Sequence, residues 1–198
     1  MKRLLLILPV VVLLYACPYE APLALEPAPV EPVDSSLLGY WYGIIKDGSD
    51  YFGIEALEIT RKTDSLYAIT RYGKAVKGDM VLPDTAYFTG FTSRINDQLF
   101  MNLESSIVLV STNTRKSKQP EVKTQTIFYI SAFAVRHDTM TVKTITDNFS
   151  PLARKGFKNS EQLKKEVQTA IEQKKNIYDD IYTLSYRKIE KPQPLKPM

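Results

Sequence analysis

The sequence predicts a mainly β domain, an antiparallel barrel or sandwich of about eight to nine strands with one α-helix before the last strand. Three observations lead there. Aromatic and β-branched residues crowd into short stretches, with 12 tyrosines, 8 phenylalanines and one tryptophan in 198 residues; such side chains suit a pleated, half-buried surface. Turn signals such as Lys46-Asp47-Gly48, Asn96-Asp97 and His137-Asp138 recur at short spacing. A helical stripe of apolar residues appears after Asn159.

The chain opens on Met1-Lys2-Arg3, an apolar run from Leu4 to Leu14, then Tyr15-Ala16-Cys17. A charged start, a short apolar core and a small residue before a cleavage point make a secretory signal over residues 1–16. The core is about half the length of a membrane-spanning helix, and Pro9 interrupts it. Leu14-Tyr15-Ala16-Cys17 resembles the bacterial lipobox, with an aliphatic residue three before the cysteine and a small one just before it. Tyr15 is bulkier than the usual occupant. The resemblance implies cleavage between Ala16 and Cys17 and a lipid-modified Cys17, palmitate among its acyl chains. Two or more such chains anchor a protein stably to a bilayer. Cys17 is the only cysteine, so no internal disulfide is available.

Loss of Lys2 and Arg3 leaves 24 basic against 22 acidic residues, a net +2, too little to argue for nucleic acid. Residues 17–36 are acidic and proline-rich, with prolines at 18, 22, 27, 29 and 32. They read as a semi-rigid linker behind the lipidated cysteine. Residues 37–190 form the domain, and 191–198 a frayed tail. Strands are expected at Gly39–Ile45, Phe52–Thr60, Ser65–Tyr72, Thr85–Ile95, Gln98–Glu104, Ser106–Thr112, Lys123–Arg136 and Thr139–Asp147. Asn148–Lys158 is a crossover loop. Asn159 or Ser160 caps the helix, with Glu161 in its first turn. Leu163, Val167, Ala170, Ile171 and Ile177 face the sheet, and Ile181–Ile189 is the last strand.

Strand order and the opening Gly39-Tyr40-Trp41 are similar to the lipocalin pattern, whose first strand carries Gly-x-Trp. Bacterial lipocalin-like lipoproteins, small barrels behind a lipobox, resemble the chain most. The resemblance implies an up-and-down barrel with Trp41 plugging its floor and an arginine stacked on that ring, Arg154 or Arg187. The Thr-Asp-Tyr turn of lipocalins is replaced by Thr146-Asp147-Asn148-Phe149. Asp64-Ser65-Leu66, Asp84-Thr85-Ala86 and Asp138-Thr139-Met140 resemble a triplet used for O-glycosylation of exported proteins in one phylum of Gram-negative bacteria. That makes Ser65, Thr85 and Thr139 candidate sites, although Asp-Ser/Thr is also how a turn enters a strand.

Little points to catalysis. His137 is the only histidine and reads as a solvated turn residue, with no Gly-x-Ser-x-Gly nucleophile motif nearby. One histidine and a consumed cysteine make no transition-metal cluster, and Asp47-Gly48-Ser49-Asp50 lacks the distal ligand of a calcium loop. No cofactor or metal is expected. Glu55 and Glu58 fall on opposite faces of one strand. Arg115, Lys116 and Lys118 form a basic loop. Tyr40, Tyr42, Phe88, Phe128, Tyr182 and Tyr186 are the candidate cavity lining, or else a filled core. The expectation is a non-enzymatic envelope lipoprotein, lipid-anchored most simply to the outer membrane, whose barrel binds a small hydrophobic or amphipathic ligand. The alternative is an interaction subunit that meets an envelope protein partner.

Overall fold

The computed structural model describes residues 18–47, 51–77, 80–111 and 121–191. A two-residue strand β1 (Glu20–Ala21) comes first. Then come β2 (Gly39–Asp47), β3 (Tyr51–Arg61), β4 (Tyr67–Lys77), β5 (Met80–Ile95), β6 (Gln98–Ser111), β7 (Glu121–Arg136) and β8 (Thr139–Ile145). Helix α1 (Ser160–Glu172) and β9 (Tyr178–Ile189) complete the order. Each of β2 to β8 pairs antiparallel with its successor, and β9 pairs back onto β2. The result is a closed eight-stranded up-and-down barrel of the lipocalin-like kind, with β1 outside it beside β7. The strand after the helix is the closing stave.

Expected breaks at Ser105 and before Thr85 are absent. Residues 98–111 form one strand, and β5 begins at Met80, before Pro83. Asp179 and Asp180 lie inside β9. Tight turns at Asn96 and His137 each use a positive φ, 52° and 56°, which Asn and His tolerate better than β-branched residues do. His137 is exposed there.

The barrel is closed along only part of its height. β3 and β4 pair from Ala56–Tyr72 downward, β5 and β6 from Thr89–Glu104, β7 and β8 from Ser131–Thr144. Above those levels, among the described residues, the strands continue only as hairpin pairs. β2–β3 runs on to Asp47–Tyr51, β4–β5 to Lys77–Met80 and β6–β7 to Ser111–Glu121. Three two-stranded arms therefore rise from one rim.

Strand alternation sorts side chains into two clusters. Inside the lower barrel, Leu37, Trp41, Leu57, Ile59, Tyr67, Ile69, Met101, Phe133 and Met140 are buried together. Outside, against β6 to β8, lie Leu25, Phe100, Ile130, Ile145, Phe149, Leu163, Val167 and Ala170. Helix α1 supplies its apolar stripe to this outer cluster, and the Asn159 side chain caps it by accepting from the Gln162 amide at 2.9 Å.

The segment expected as a spacer is the other half of that outer layer. Tyr19, Ala21 and Leu25 are buried in it, Ala24 is buried beside them, and Val33 is buried with the floor cluster around Leu37 and Trp41. The Leu25 amide donates to Asn102 Oδ1 at 2.8 Å, while Asn102 Nδ2 donates to Ser93 Oγ at 2.8 Å and to the Phe91 carbonyl at 3.2 Å. Glu26 pairs with Lys164. Residues 18–33 are thus a strap bound to the barrel wall. Its prolines suppress ladder hydrogen bonds, but its apolar side chains still dock.

Candidate functional site

The floor matches the expected plug but not the expected cation. Trp41 is fully buried, and its indole N–H donates to the Leu37 carbonyl at 2.9 Å. Lys188 Nζ lies 5.1 Å from the Trp41 ring centroid. Arg187 and Arg154 do not occupy that place. Lys188 stands directly opposite Trp41 in the β2–β9 ladder, so both face inward; Arg187 pairs with Tyr42 on the outer side. Arg154 lies in the crossover, 3.3 Å from Asp147. Gly39 has φ +126°, and a Cβ there would come 3.1 Å from Lys188 Cε. The glycine lets the lysine fold over the ring.

Above the packed floor sits a polar group that sequence reasoning missed. Glu55, Arg71 and Tyr186 all point into the barrel. Tyr186 is 2 % exposed and its hydroxyl donates to Glu55 Oε1 at 2.5 Å. Arg71 Nη1 lies 3.7 Å from Glu55 Oε2. Burial pushes the Tyr186 phenol far above its usual range, and the Glu55 charge adds to this, so Tyr186 is a neutral donor. The Arg71 side chain keeps 36 % of its surface exposed against 9 % for Glu55. The carboxyl is the more deeply buried of the two groups, and the guanidinium is the one that reaches solvent. The signal was present: Glu55-x-Leu57-x-Ile59 and Tyr67-x-Ile69-x-Arg71 alternate with their buried neighbours.

The expected cavity lining divides. Phe88 and Tyr186 face inward, half-buried and buried respectively. Tyr40 and Tyr42 face outward. Phe128 packs in the outer cluster, edge-on to Phe91 at 6.5 Å. Tyr182 belongs to β9, with its side chain outside the described residues. On the outer wall Glu58 accepts from Tyr40 at 2.5 Å and Tyr72 at 2.9 Å, which holds its carboxyl below the usual range. Glu55 and Glu58 do fall on opposite faces.

Ser65 stands at the turn into β4, and Thr139 opens β8, bonded to Asp138 at 3.1 Å. Thr85 is different: it is exposed within β5, opposite Tyr72. Ala16, Cys17, Ser49 and the basic loop Arg115, Lys116 and Lys118 lie outside the described residues. Clefts of about 600, 590 and 560 Å³ flank the floor, the strap and the place where β5 and β6 part. Among the described residues, no cluster of His, Cys, Asp and Glu could hold a metal ion, and no helix is long and apolar enough to cross a membrane.

No known relative emerges. The chain matches no protein-family model, and comparisons with curated proteins and with solved structures return no similar protein.

Proposed function

We propose that the chain is a lipoprotein of the cell envelope, anchored through Cys17 to the outer membrane, whose barrel takes one small hydrophobic or amphipathic molecule into its open end. The observation that supports binding is Arg71. It points into the barrel yet remains more than a third exposed, above a floor sealed by Trp41 and its neighbours. Apolar walls with a few placed polar groups are what small-molecule sites usually present. Tyr186 holds Glu55, and Glu55 in turn positions the guanidinium; no catalytic step is assigned to them.

Titration with cis-parinaric acid and its methyl ester tests this reading. The expected result is saturable binding of one molecule per chain, with Arg71→Met weakening the acid about tenfold, the size of a charge-assisted hydrogen bond, and sparing the ester. No saturable binding of either probe overturns it. The anchor is tested apart, by incorporation of labelled palmitate that disappears in Cys17→Ala.

A second reading, an interaction subunit, is favoured by the β6–β7 arm. Val108, Leu109 and Val122 are 62 %, 46 % and 61 % exposed there, beside strand edges that lack partners among the described residues. Crosslinking in intact cells from cysteines placed at Val108 and Val122 checks it; the absence of any protein adduct counts against a partner.

A further inference from the structure

The strap determines where the chain leaves the barrel. Pro18 bridges to Thr146, and the Tyr19 amide donates to the Ile145 carbonyl at 2.9 Å. Cys17 is therefore one Cα step, about 3.8 Å, from a residue held on the barrel flank. A lipid on that sulfur would bring this flank to the bilayer surface with no spacer between.

The surroundings of the exit are basic. Residues 143–180 carry eight basic and six acidic side chains, net +2, whereas the rest of the chain from Cys17 onward is net zero, with 16 basic and 16 acidic; one of those acids, Glu20, is exposed two residues after Pro18. Contacts draw this charge toward Pro18. The Tyr19 ring lies 5.3 Å from Phe149 and 6.2 Å from Phe157, and the Thr146 amide donates to the Ile177 carbonyl at 3.0 Å. Lys158 follows Phe157, and Lys174 and Lys175 shortly precede Ile177. Lys143, Lys155, Lys158, Lys174 and Lys175 are all exposed. Asp147 and Arg154 pair with each other at 3.3 Å, Lys164 is paired with Glu26, Glu166 accepts from the Ser150 hydroxyl and Glu172 from Gln168, which leaves the exposed lysines above without a carboxylate among these contacts. Glu161 is exposed in the first turn of α1.

We infer that this flank is a membrane-docking surface for anionic phospholipid headgroups, which fixes the barrel's orientation once the chain is anchored. The choice of a lipid surface as occupant rests on the anchored reading above. The positive excess and the exit of the chain coincide, and lysines near an anionic surface each add about fivefold to partitioning.

The test uses residues 17–198 with Cys17→Ser, made without the leader; all barrel and strap contacts described lie from Pro18 onward. Flotation with phosphatidylcholine vesicles is compared with flotation on vesicles containing phosphatidylglycerol. The expected result is partitioning onto the anionic vesicles alone, abolished by high salt. Combined Lys155→Glu, Lys158→Glu, Lys174→Glu and Lys175→Glu should lower it by at least about a hundredfold. Salt titration of the unaltered chain reads the same property should that variant not fold. Equal partitioning on neutral and anionic vesicles, no partitioning on either, or insensitivity to salt overturns the inference. The intact mass of the exported wild-type protein reads the anchor separately: an unmodified Cys17 sinks the anchor whatever the vesicles show.

Discussion

Two glycines in β2 set how closely the closing strand can approach. Gly39 needs its positive φ, and Gly39→Ala should cost about 1–3 kcal/mol of backbone strain, since the lysine tip beside it can move but the backbone cannot. Gly43 meets harder limits: a Cβ there would lie 2.8 Å from the Tyr186 ring and 2.9 Å from the Ser185 carbonyl oxygen. Gly43→Ala should therefore displace β9 and cost more than Gly39→Ala. Urea unfolding followed by Trp41 fluorescence ranks the two. At Tyr186 the folded phenol pKa lies above the ordinary value near 10, so its contribution is fully present below that pH and is lost as pH rises through the folded value. Tyr19 and Tyr178, pushed up to about 12 by burial, add to the same alkaline loss. Tyr186→Phe should make the alkaline decline in unfolding free energy shallower. It should also lower stability at neutral pH, because Glu55 loses a donor. Equilibrium unfolding across the alkaline range checks both.

At the scale of elements, α1 and the strap cover the same wall in different ways. The helix was legible in the sequence because its period of 3.6 is local: Leu163, Val167 and Ala170 lie three or four residues apart and all are buried. The strap was not. Its prolines and acidic residues suggest a solvated spacer, and nothing within it indicates that Asn102, 77 residues away, takes the Leu25 amide. Deleting residues 18–33 should lower the melting temperature sharply or prevent folding, whereas a true spacer could be removed freely. Leu25→Ala should cost about 2–4 kcal/mol as a buried large-to-small change. Thermal unfolding by circular dichroism separates these outcomes.

Across the whole molecule, the seam between β2 and β9 is short, with Tyr40 to Tyr42 facing Arg187 to Ile189, while β6 and β7 pair from Leu99–Phe133 to Ser111–Glu121. Local opening follows such differences in pairing. Amide hydrogens of residues 187 and 189 should exchange faster than those of residues 130–133, and comparable protection would show that the seam is held by more than its ladder. Closure also explains the divided aromatic set. Phe88 and Tyr186 share the inner face, while Tyr40, Tyr42 and Phe128 fall on the outer one, because one residue of register exchanges the faces of a strand.

The sequence by itself determined most strands, most turns and the single helix with its cap, since each depends on neighbours within a few residues; the Trp41 floor was an expectation of the lipocalin resemblance. Tertiary structure decided which cation covers Trp41, that Glu55, Arg71 and Tyr186 meet, and that the proline-rich segment binds the wall. Those outcomes depend on pairs of residues far apart in the chain, such as Trp41 with Lys188 and Glu55 with Tyr186. Their contact is set by ladder register and barrel closure, which no local period encodes.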